Sequence, residues 1–316
     1  LPWLLGSIFA TSILIRFQKI PIQSPKLFSA PARILIGLAI GSAFTPAILN
    51  YIPQYTISLL LVVPFTILVI FFGTYYYYKV LKYDLKTSYL GSMPGGVIEM
   101  VIIGQELKAN TAKITLMQSS RLFFVVVSLP FIIQYIFQID IRGNQLLTTP
   151  IKDIDMFEFL YIYVLAVFAA LFAKKIKLTA AYLIGPMIIS IILYSSGFVT
   201  THIPDELLKF IQVVFGSIIG FTFKNVDLKT IFNTLVATLG HFVILIILCG
   251  IFIFIIHHFF GFTTLDILLA FGPGGQTEIN LIALLVGANL PYITLHNTVR
   301  LFLVMNIAPI IAKRLN

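Results

Sequence analysis

The most regular feature of the chain is a succession of apolar stretches of about 20 residues, separated by short polar loops. A stretch of roughly this length is what an α-helix needs to cross the hydrocarbon core of a bilayer. The chain opens inside one such stretch, and the next three cover about 34–49, about 56–78 and the helix around Arg121 to about 137. A further stretch at about 157–173 begins the second half. The pattern predicts an all-α polytopic membrane protein.

One short motif occurs twice, as Pro94-Gly95-Gly96-Val97-Ile98-Glu99 and as Pro273-Gly274-Gly275-Gln276-Thr277-Glu278. The residue numbers of the two copies differ by 179, and so do those of Arg121 and Arg300, which lie on the apolar stretch that follows each copy. A motif repeated in register is the mark of a duplicated gene.

The same offset of 179 residues relates Gly37 to Gly216 and Gly41 to Gly220. Gly37 and Gly41 stand four residues apart, and such small residues let membrane helices pack closely. The sequence therefore predicts repeat 1 over 1–137, a polar linker at 138–156 and repeat 2 over 157–316. The helix at 157–173 has no counterpart in the first repeat, so the N-terminal helix of that repeat is expected to be missing from this chain.

Charge predicts that the two repeats have opposite orientations in the membrane. The loop before Gly37 is basic, whereas the equivalent loop before Gly216 carries Asp205 and Glu206. The loop before Pro94 has three lysines, and its equivalent has none. Because Lys and Arg accumulate in cytoplasmic loops, equivalent loops are expected on opposite sides, which makes the repeats inverted.

The Pro-Gly-Gly segments are predicted to form re-entrant hairpins, at 86–107 and 265–287. If each segment enters and leaves on one side, 16 of the 21 Lys and Arg residues lie inside and Arg121 and Arg300 lie within the membrane. The other three, expected outside, are Arg142, Lys152 and Lys209. Proline lacks an N–H and glycine has φ freedom, so these residues suit a break in a helix. A broken helix that crosses the membrane is the alternative, and it fits the charges less well.

Composition supports the membrane assignment and excludes several other classes of protein. Apolar residues make up 59% of the chain and charged residues only 10%, against roughly 25% charged in soluble domains. The net charge of +9 therefore indicates how the chain is oriented in the membrane and says little about affinity for nucleic acid. Cys249 stands alone, so no intramolecular disulfide can form. No metal-ligand spacing, nucleotide loop or nucleophile elbow is found, so neither an enzyme nor a cofactor is expected.

The duplicated motif also supplies candidate chemistry in the middle of the membrane. Glu99 and Glu278 follow the breaks, and a carboxylate at this depth costs at least ~2.5 kcal/mol, which makes it a functional candidate. Arg121 and Arg300 offer planar forks that suit a carboxylate or phosphate. The half-helices that start after the second glycine add N–H groups and a positive dipole end. The sequence thus predicts a site for a small anion, whose binding residues are Gly95, Gly96, Glu99, Gln118, Arg121, Gly274, Gly275, Glu278, Asn297 and Arg300. No metal ligand is assigned.

Structural explanations remain open for the same residues. Glu99–Arg121 and Glu278–Arg300 also suit internal ion pairs that fix each hairpin to its neighbouring helix, and the glycines suit tight packing. His296 is a candidate for proton coupling together with Glu99 and Glu278, although a membrane histidine more often serves packing. The run Tyr75–Tyr78 is expected at the lipid–water boundary.

The doubled Pro-Gly-Gly-x-x-Glu stretch, the Ala-Asn pairs that follow it and the openings Leu4-Leu5-Gly6 and Leu183-Ile184-Gly185 resemble the bacterial AbrB-duplication membrane protein family. Members carry labels such as ammonia monooxygenase or AbrB family transcriptional regulator. This sequence shows neither a catalytic motif nor a polar stretch large enough to read DNA. The arrangement is also similar to cation–proton antiporters and anion transporters, which is a likeness at the level of the fold.

These observations predict a secondary active transporter of a small organic anion. The mechanism is expected to be alternating access, by an elevator or rocking motion, with a proton or a cation as the coupling ion. The protein is expected in a bacterial cell membrane as a multi-pass homodimer, with no nucleic-acid partner. The alternative is a channel or a membrane-embedded ligand sensor; a membrane enzyme ranks third.

Overall fold

A computed structural model describes residues 2–17, 23–44, 52–138, 150–178, 180–224, 226–272, 274–312 and 314–315. These residues form α-helices and short helical turns, with no strand among them. Most of the predicted linker, residues 139–149, lies outside the described residues, as do Pro273 and the side chain of Glu99.

Thirteen α-helices are described in these ranges. In chain order they are α1 (Pro2–Leu14), α2 (Ser29–Gly41), α3 (Ile52–Tyr75), α4 (Leu85–Ser92), α5 (Val97–Glu106), α6 (Thr111–Phe131), α7 (Met156–Lys175), α8 (Ala181–Ser195), α9 (Asp205–Phe221), α10 (Leu228–Phe260), α11 (Thr264–Phe271), α12 (Gln276–Val286) and α13 (Leu290–Ala312). α3 and α6 continue into π-helical turns, Tyr76–Val80 and Ile132–Ile136.

Five of the helical segments in the described ranges are long and apolar enough to cross a bilayer: Pro53–Val80, Thr111–Ile136, Met156–Lys175, Leu228–Phe260 and Leu290–Ala312. This confirms the prediction of an all-helical protein of membrane type. The predicted bounds of the second apolar stretch, about 34–49, differ from those of the helix. α2 starts at Ser29 and ends at Gly41.

Helix bounds in the two halves are related by the offset found in the sequence. α4 and α11 differ by 179 at both ends, and the first residues of α1 and α8, of α5 and α12, and of α6 and α13 also differ by 179. The local sequence thus places equivalent helix starts at equivalent positions in both halves.

The chain divides into two compact units, each assembled from several segments. Unit 1 contains Leu1–Tyr55, Ile133–Phe221 and Asn280–Thr294, and unit 2 contains Thr56–Ile132, Thr222–Ile279 and Leu295–Asn316. Each unit draws on both halves of the sequence, so this division differs from the division at the linker.

Glycine strips hold the helices of unit 1 together. α2 packs against α8 and α1 against α9. A Cβ on Gly41 would stand 2.6 Å from the Met187 carbonyl oxygen, and one on Gly220 would stand 2.8 Å from that of Ile8. The Ser190 hydroxyl donates to the Leu38 carbonyl oxygen at 2.8 Å, so it joins α8 to α2. The predicted close packing at Gly37 and Gly41 is confirmed.

In unit 2 the tyrosine run behaves differently from its prediction. Tyr75 is 54% exposed and Tyr78 is 37% exposed, as a membrane-boundary residue should be, but Tyr77 is completely buried. Its hydroxyl lies 3.3 Å from Nδ1 of His241 on α10. The expectation of a boundary position was wrong for Tyr77, because this residue continues the buried face formed by Phe65, Val69 and Gly73 at every fourth position.

The N-terminus of α10 provides a test of stability against pH. Asp227 caps the helix, and its Oδ2 accepts from the Thr230 N–H at 2.8 Å. This hydrogen bond holds the pKa of the exposed carboxyl below its usual value. The stabilisation is therefore present above the unfolded pKa of about 3.9 and is lost as the pH falls through the folded pKa.

We expect Asp227→Ala to lower the thermal midpoint of the detergent-solubilised protein near pH 7 and to match the wild type at about pH 2–3. Asp227→Asn serves as the control, because asparagine caps helices without titrating in this range. If the effect of the alanine substitution is the same at every pH, the ionised carboxylate is not the group that caps α10.

Candidate functional site

The first break in unit 2 is held by side chains from α6. α4 ends at Ser92 and α5 starts at Val97, so helices of 8 and 10 residues flank Pro94, Gly95 and Gly96. Both short helices pack against α6. At 1.5 Å per residue α4 is about 12 Å long, too short to cross a bilayer.

Arg121 binds the carbonyl groups that follow α4. Its Nη1 donates to the Met93 carbonyl oxygen at 2.6 Å and its Nη2 to that of Gly95 at 3.4 Å. Gln118, one turn earlier on α6, donates through Nε2 to the carbonyls of Leu90, at 2.9 Å, and Met93, at 3.0 Å. Carbonyls at a helix C-terminus have no partner within the helix and form the negative dipole end, so these donors stabilise the break.

Arg300 binds the equivalent carbonyl groups at the end of α11. Its Nη1 donates to the Gly272 carbonyl oxygen at 2.7 Å and to that of Phe271 at 3.4 Å. Its Nη2 donates to Asn297 Oδ1 at 2.7 Å. Gly272 and Met93 differ in number by 179, so both arginines hold equivalent carbonyls. Both side chains are buried, Arg121 at 1% and Arg300 at 3% exposure.

The charged groups of unit 2 lie close to one another. The second break lies against α6, because Cβ atoms added to Gly274 and Gly275 would stand 3.2 Å from Val125 Cγ1 and 3.3 Å from Leu122 Cδ2. Arg121 is thereby near enough to be attracted by the Glu278 carboxylate and repelled by the Arg300 guanidinium. Repulsion between two buried cations is unfavourable unless carboxylates or dipole ends compensate it. The structure thus brings Arg121, Arg300 and Glu278 together from both copies of the motif.

Glu278 also lies at the N-terminus of α12. It is the third residue of the helix, and a Cβ added to Gly275 would collide with its carboxylate. A glutamate at this position that reaches back to the residue before the helix stabilises the free N–H groups. Glu99 is likewise the third residue of α5, after Gly96, although its side chain lies outside the described residues.

The glycines described at the breaks do not have positive φ, which corrects the prediction of φ freedom, and side chains added at Gly95, Gly274 and Gly275 would crowd neighbouring side chains. Gly96 has φ −71°, a value open to any residue. Cβ atoms added to Gly95 and Gly274 would lie 3.1 Å from Val304 Cγ1 and 2.6 Å from Ile279 Cδ1. The described glycines with positive φ are elsewhere, at Gly197, Gly261 and Gly287.

Several buried polar atoms around the breaks have no hydrogen-bond partner among the described residues. They are two donors, Arg121 Nε and Asn297 Nδ2, and two acceptors, Gln118 Oε1 and Gln276 Oε1. Gln276 also donates through Nε2 to Thr298 Oγ1 at 2.9 Å. Sequence reasoning missed Gln276 and Thr298, although Gln276 directly follows the second glycine pair.

His296 is buried, and its Nε2 lies 2.9 Å from the Ser58 hydroxyl. Its ring contacts that of Phe271, with centroids 5.7 Å apart. These contacts fit a packing residue next to the end of α11. The proposed coupling role of His296 stays a prediction.

Gln118 gives a direct test of how the first break is held. We expect Gln118→Leu to destabilise the protein by about 2 kcal/mol, because buried carbonyls lose their donor. The midpoint of thermal unfolding in detergent measures the loss. Gln105→Leu is the control, since Gln105 is exposed on α5. Equal effects of the two substitutions would show that Gln118 does not hold the end of α4.

The chain matches one family model and is similar to two curated proteins. A family model described as transition state regulatory protein AbrB matches residues 3–316. The chain is 25% identical over 293 residues to "Uncharacterized protein YhjN" of Bacillus subtilis (strain 168), covering 89% of this chain and 76% of that protein. It is 24% identical over 312 residues to "Putative regulator AbrB" of Escherichia coli (strain K12), covering 98% and 88%. No solved structure gives a significant match.

Proposed function

The chain belongs to the AbrB family, and from this starting point we propose that it is a secondary active transporter of a small organic anion. The observation that carries the proposal is the cluster of Arg121, Arg300 and Glu278 at two equivalent helix breaks inside apolar helices. Charged groups at membrane depth mark substrate and ion pathways. Discontinuous helices from two repeats are a usual basis of such sites.

The two halves are proposed to be inverted repeats with re-entrant hairpins. The matching helix starts at an offset of 179 support the duplication, and the opposite charge of equivalent loops supports the inversion. The short lengths of α4 and α5, which both pack on α6, support two half-helices joined at the break, and the charges of the flanking loops favour a hairpin over a crossing helix. Unit 2 contains both breaks and both arginines, so we propose it as the part that carries substrate.

An anion suits the site better than a cation. The two guanidinium groups already bind backbone carbonyls, yet their charges remain, and Arg121 keeps a free Nε. Asn297 Nδ2 adds a second free donor. A carboxylate or phosphate would thus find positive potential and hydrogen-bond donors in a site of low dielectric.

The position of Glu278 supports proton coupling. When ionised, its carboxylate occupies the N-terminus of α12, where a substrate anion would also bind. Protonation removes that negative charge and leaves the N–H groups and Arg121 for the substrate. Binding of an anion and of a proton would therefore favour each other.

The test begins with thermal stability of the purified protein against small carboxylates and phosphates at two pH values. We expect an anion that stabilises wild type more strongly at the lower pH, and no stabilisation of Arg300→Gln. Glu278→Gln should bind the anion equally at both pH values, whereas Glu106→Gln, at the exposed end of α5, should resemble wild type.

Uptake of the stabilising anion into proteoliposomes, with and without a pH gradient, then tests transport. The proposal fails if Arg300→Gln and Glu278→Gln take up the anion as well as wild type does.

A membrane-embedded ligand sensor is the second candidate, favoured by the name of the Escherichia coli relative, which is that of a regulator. A sensor would bind the anion with the same dependence on Arg300 and would not move it. Binding without uptake in proteoliposomes would therefore select the sensor.

A further inference from the structure

An apolar groove of about 370 Å³ lies within unit 2, lined by residues of α3, α4 and α13. Along α3 and the π-helical turn that follows it, the lining extends from Val63 to Lys79, which corresponds to about 24 Å of helix. The groove thus runs along a candidate membrane span for most of the ~30 Å thickness of a hydrocarbon core. Its volume is that of a typical binding site for a small molecule.

The groove opens to the side of the helices. Ile67 is 58% exposed and Phe71 61% exposed on α3, and Ile311 is 40% exposed on α13. Because α3 and α13 are membrane spans by length and composition, these side chains face hydrocarbon rather than water. A molecule that fills the groove would therefore enter from the bilayer.

The charged side chain of the lining stands at one end of the groove. Lys79 lies in the π-helical turn that follows α3, and its Nζ is 4.8 Å from the centre of the Tyr78 ring. The remaining lining is mostly aliphatic and aromatic. An apolar channel with a cation at one end suits an acyl chain that carries a polar, negative head.

We propose that the groove binds an anionic phospholipid of the surrounding bilayer, with an acyl chain along α3 and the phosphate near Lys79. Lysines at the membrane surface attract anionic headgroups, and the tyrosines beside Lys79 suit the headgroup level. This proposal is independent of the proposed transport.

A lipid in this position would touch the first helix break. Met93 lines the groove and is the residue whose carbonyl accepts from Arg121 and Gln118. Val304 also lines the groove and packs against Gly95. The lipid would therefore stabilise the same segment that the buried arginine holds.

The experiment counts lipids that remain bound to the full chain. The protein is placed in nanodiscs made of equal parts of phosphatidylglycerol and phosphatidylcholine, and the lipids released with it are identified by native mass spectrometry. We expect wild type to retain phosphatidylglycerol in preference to phosphatidylcholine. Lys79→Gln should reduce that preference about fivefold, the effect of one lysine near an anionic surface.

Matched variants separate the groove from the general surface. Ile307→Trp and Ile67→Trp should fill the groove and lose the bound lipid, whereas Ile310→Trp, on α13 outside the groove, should keep it. Lys82→Gln is the charge control, since Lys82 is exposed just beyond the span. Two groove variants are used so that misfolding of one, seen by gel filtration, does not decide the result.

Three outcomes would overturn the proposal. They are wild type without a preference between the two lipids, control variants that lose lipid as the groove variants do, and groove variants that change the oligomeric state while lipid retention is unchanged. The last outcome would assign the groove to a second copy of the chain.

Discussion

Replacing Arg300 with leucine is expected to destabilise the protein by about 3 kcal/mol. The guanidinium donates to the carbonyls of Phe271 and Gly272 and to Asn297 Oδ1, and leucine leaves these buried acceptors without a donor. Relief of the repulsion between Arg300 and Arg121 acts in the opposite direction, but we expect the larger effect from the buried acceptors, which lose three hydrogen bonds to a charged donor. Thermal unfolding in detergent, in the absence of added anions, measures the change.

Two further variants identify the cause. Arg300→Lys keeps the charge but not the fork, so it should recover only part of the lost stability. Arg314→Leu, exposed near the end of the chain, should leave the midpoint unchanged. If Arg300→Leu were as stable as wild type and lost only its response to anions, the arginine would serve the ligand alone and not the helix break.

Replacing Gly41 with valine is expected to lower the free energy of unfolding by about 3 kcal/mol, because the larger side chain overpacks a helix contact. Even a single Cβ at this position would stand 2.6 Å from the carbonyl oxygen of Met187, a backbone atom that cannot rotate away. The substitution would therefore push α8 from α2 and break the hydrogen bond from Ser190 to Leu38. A lower thermal midpoint and a broader gel-filtration peak are the expected readouts.

Gly6 supplies the matched control for this prediction. It is a helical glycine in the same unit, and no atom of another described element lies within 4 Å of its added Cβ. Gly6→Val should have little effect on stability, whereas Gly220→Val should resemble Gly41→Val, because its Cβ would approach the Ile8 carbonyl oxygen. Similar stabilities of Gly6→Val and Gly41→Val would disprove close packing as the role of the strip.

The helix breaks and the glycine strips could be predicted from the sequence because local chemistry encodes them. Proline lacks the N–H and glycine has a low helix propensity, so a Pro-Gly-Gly segment favours a break in an apolar stretch, and α4 and α5 are separated at that point. Gly37 and Gly41 fall on one helix face by spacing alone. Repetition at a fixed offset strengthened both predictions.

The partners of the arginines could not be predicted in the same way. A carboxylate or a ligand is visible in a sequence as a possible partner of Arg300, but a backbone carbonyl is present in every residue. Only the fold shows that Gly272 and Phe271 end their helix beside this side chain. The fold likewise shows which amide atoms of Gln118 and Asn297 have no hydrogen-bond partner among the described residues.

Tyr77 shows a second limit of the sequence prediction. Phe65, Val69 and Gly73 are buried at a spacing of four residues, and Tyr77 continues that series. The helical period therefore places Tyr77 on the buried face, where it contacts His241. Four consecutive tyrosines indicate a boundary position when they are taken as one aromatic cluster, and that interpretation overlooked the period.

The length of α10 has a consequence for the membrane around the protein. Its 33 residues correspond to about 50 Å, well above a hydrocarbon thickness of ~30 Å, so the helix must tilt, extend past the headgroups or thicken the bilayer. Each response changes when the bilayer becomes thicker or thinner. Because α10 packs against α6 and α11, hydrophobic mismatch would act on the two helices that carry Arg121 and end at Phe271. Membrane thickness would thus act on the charged cluster through the helices that pack against α10.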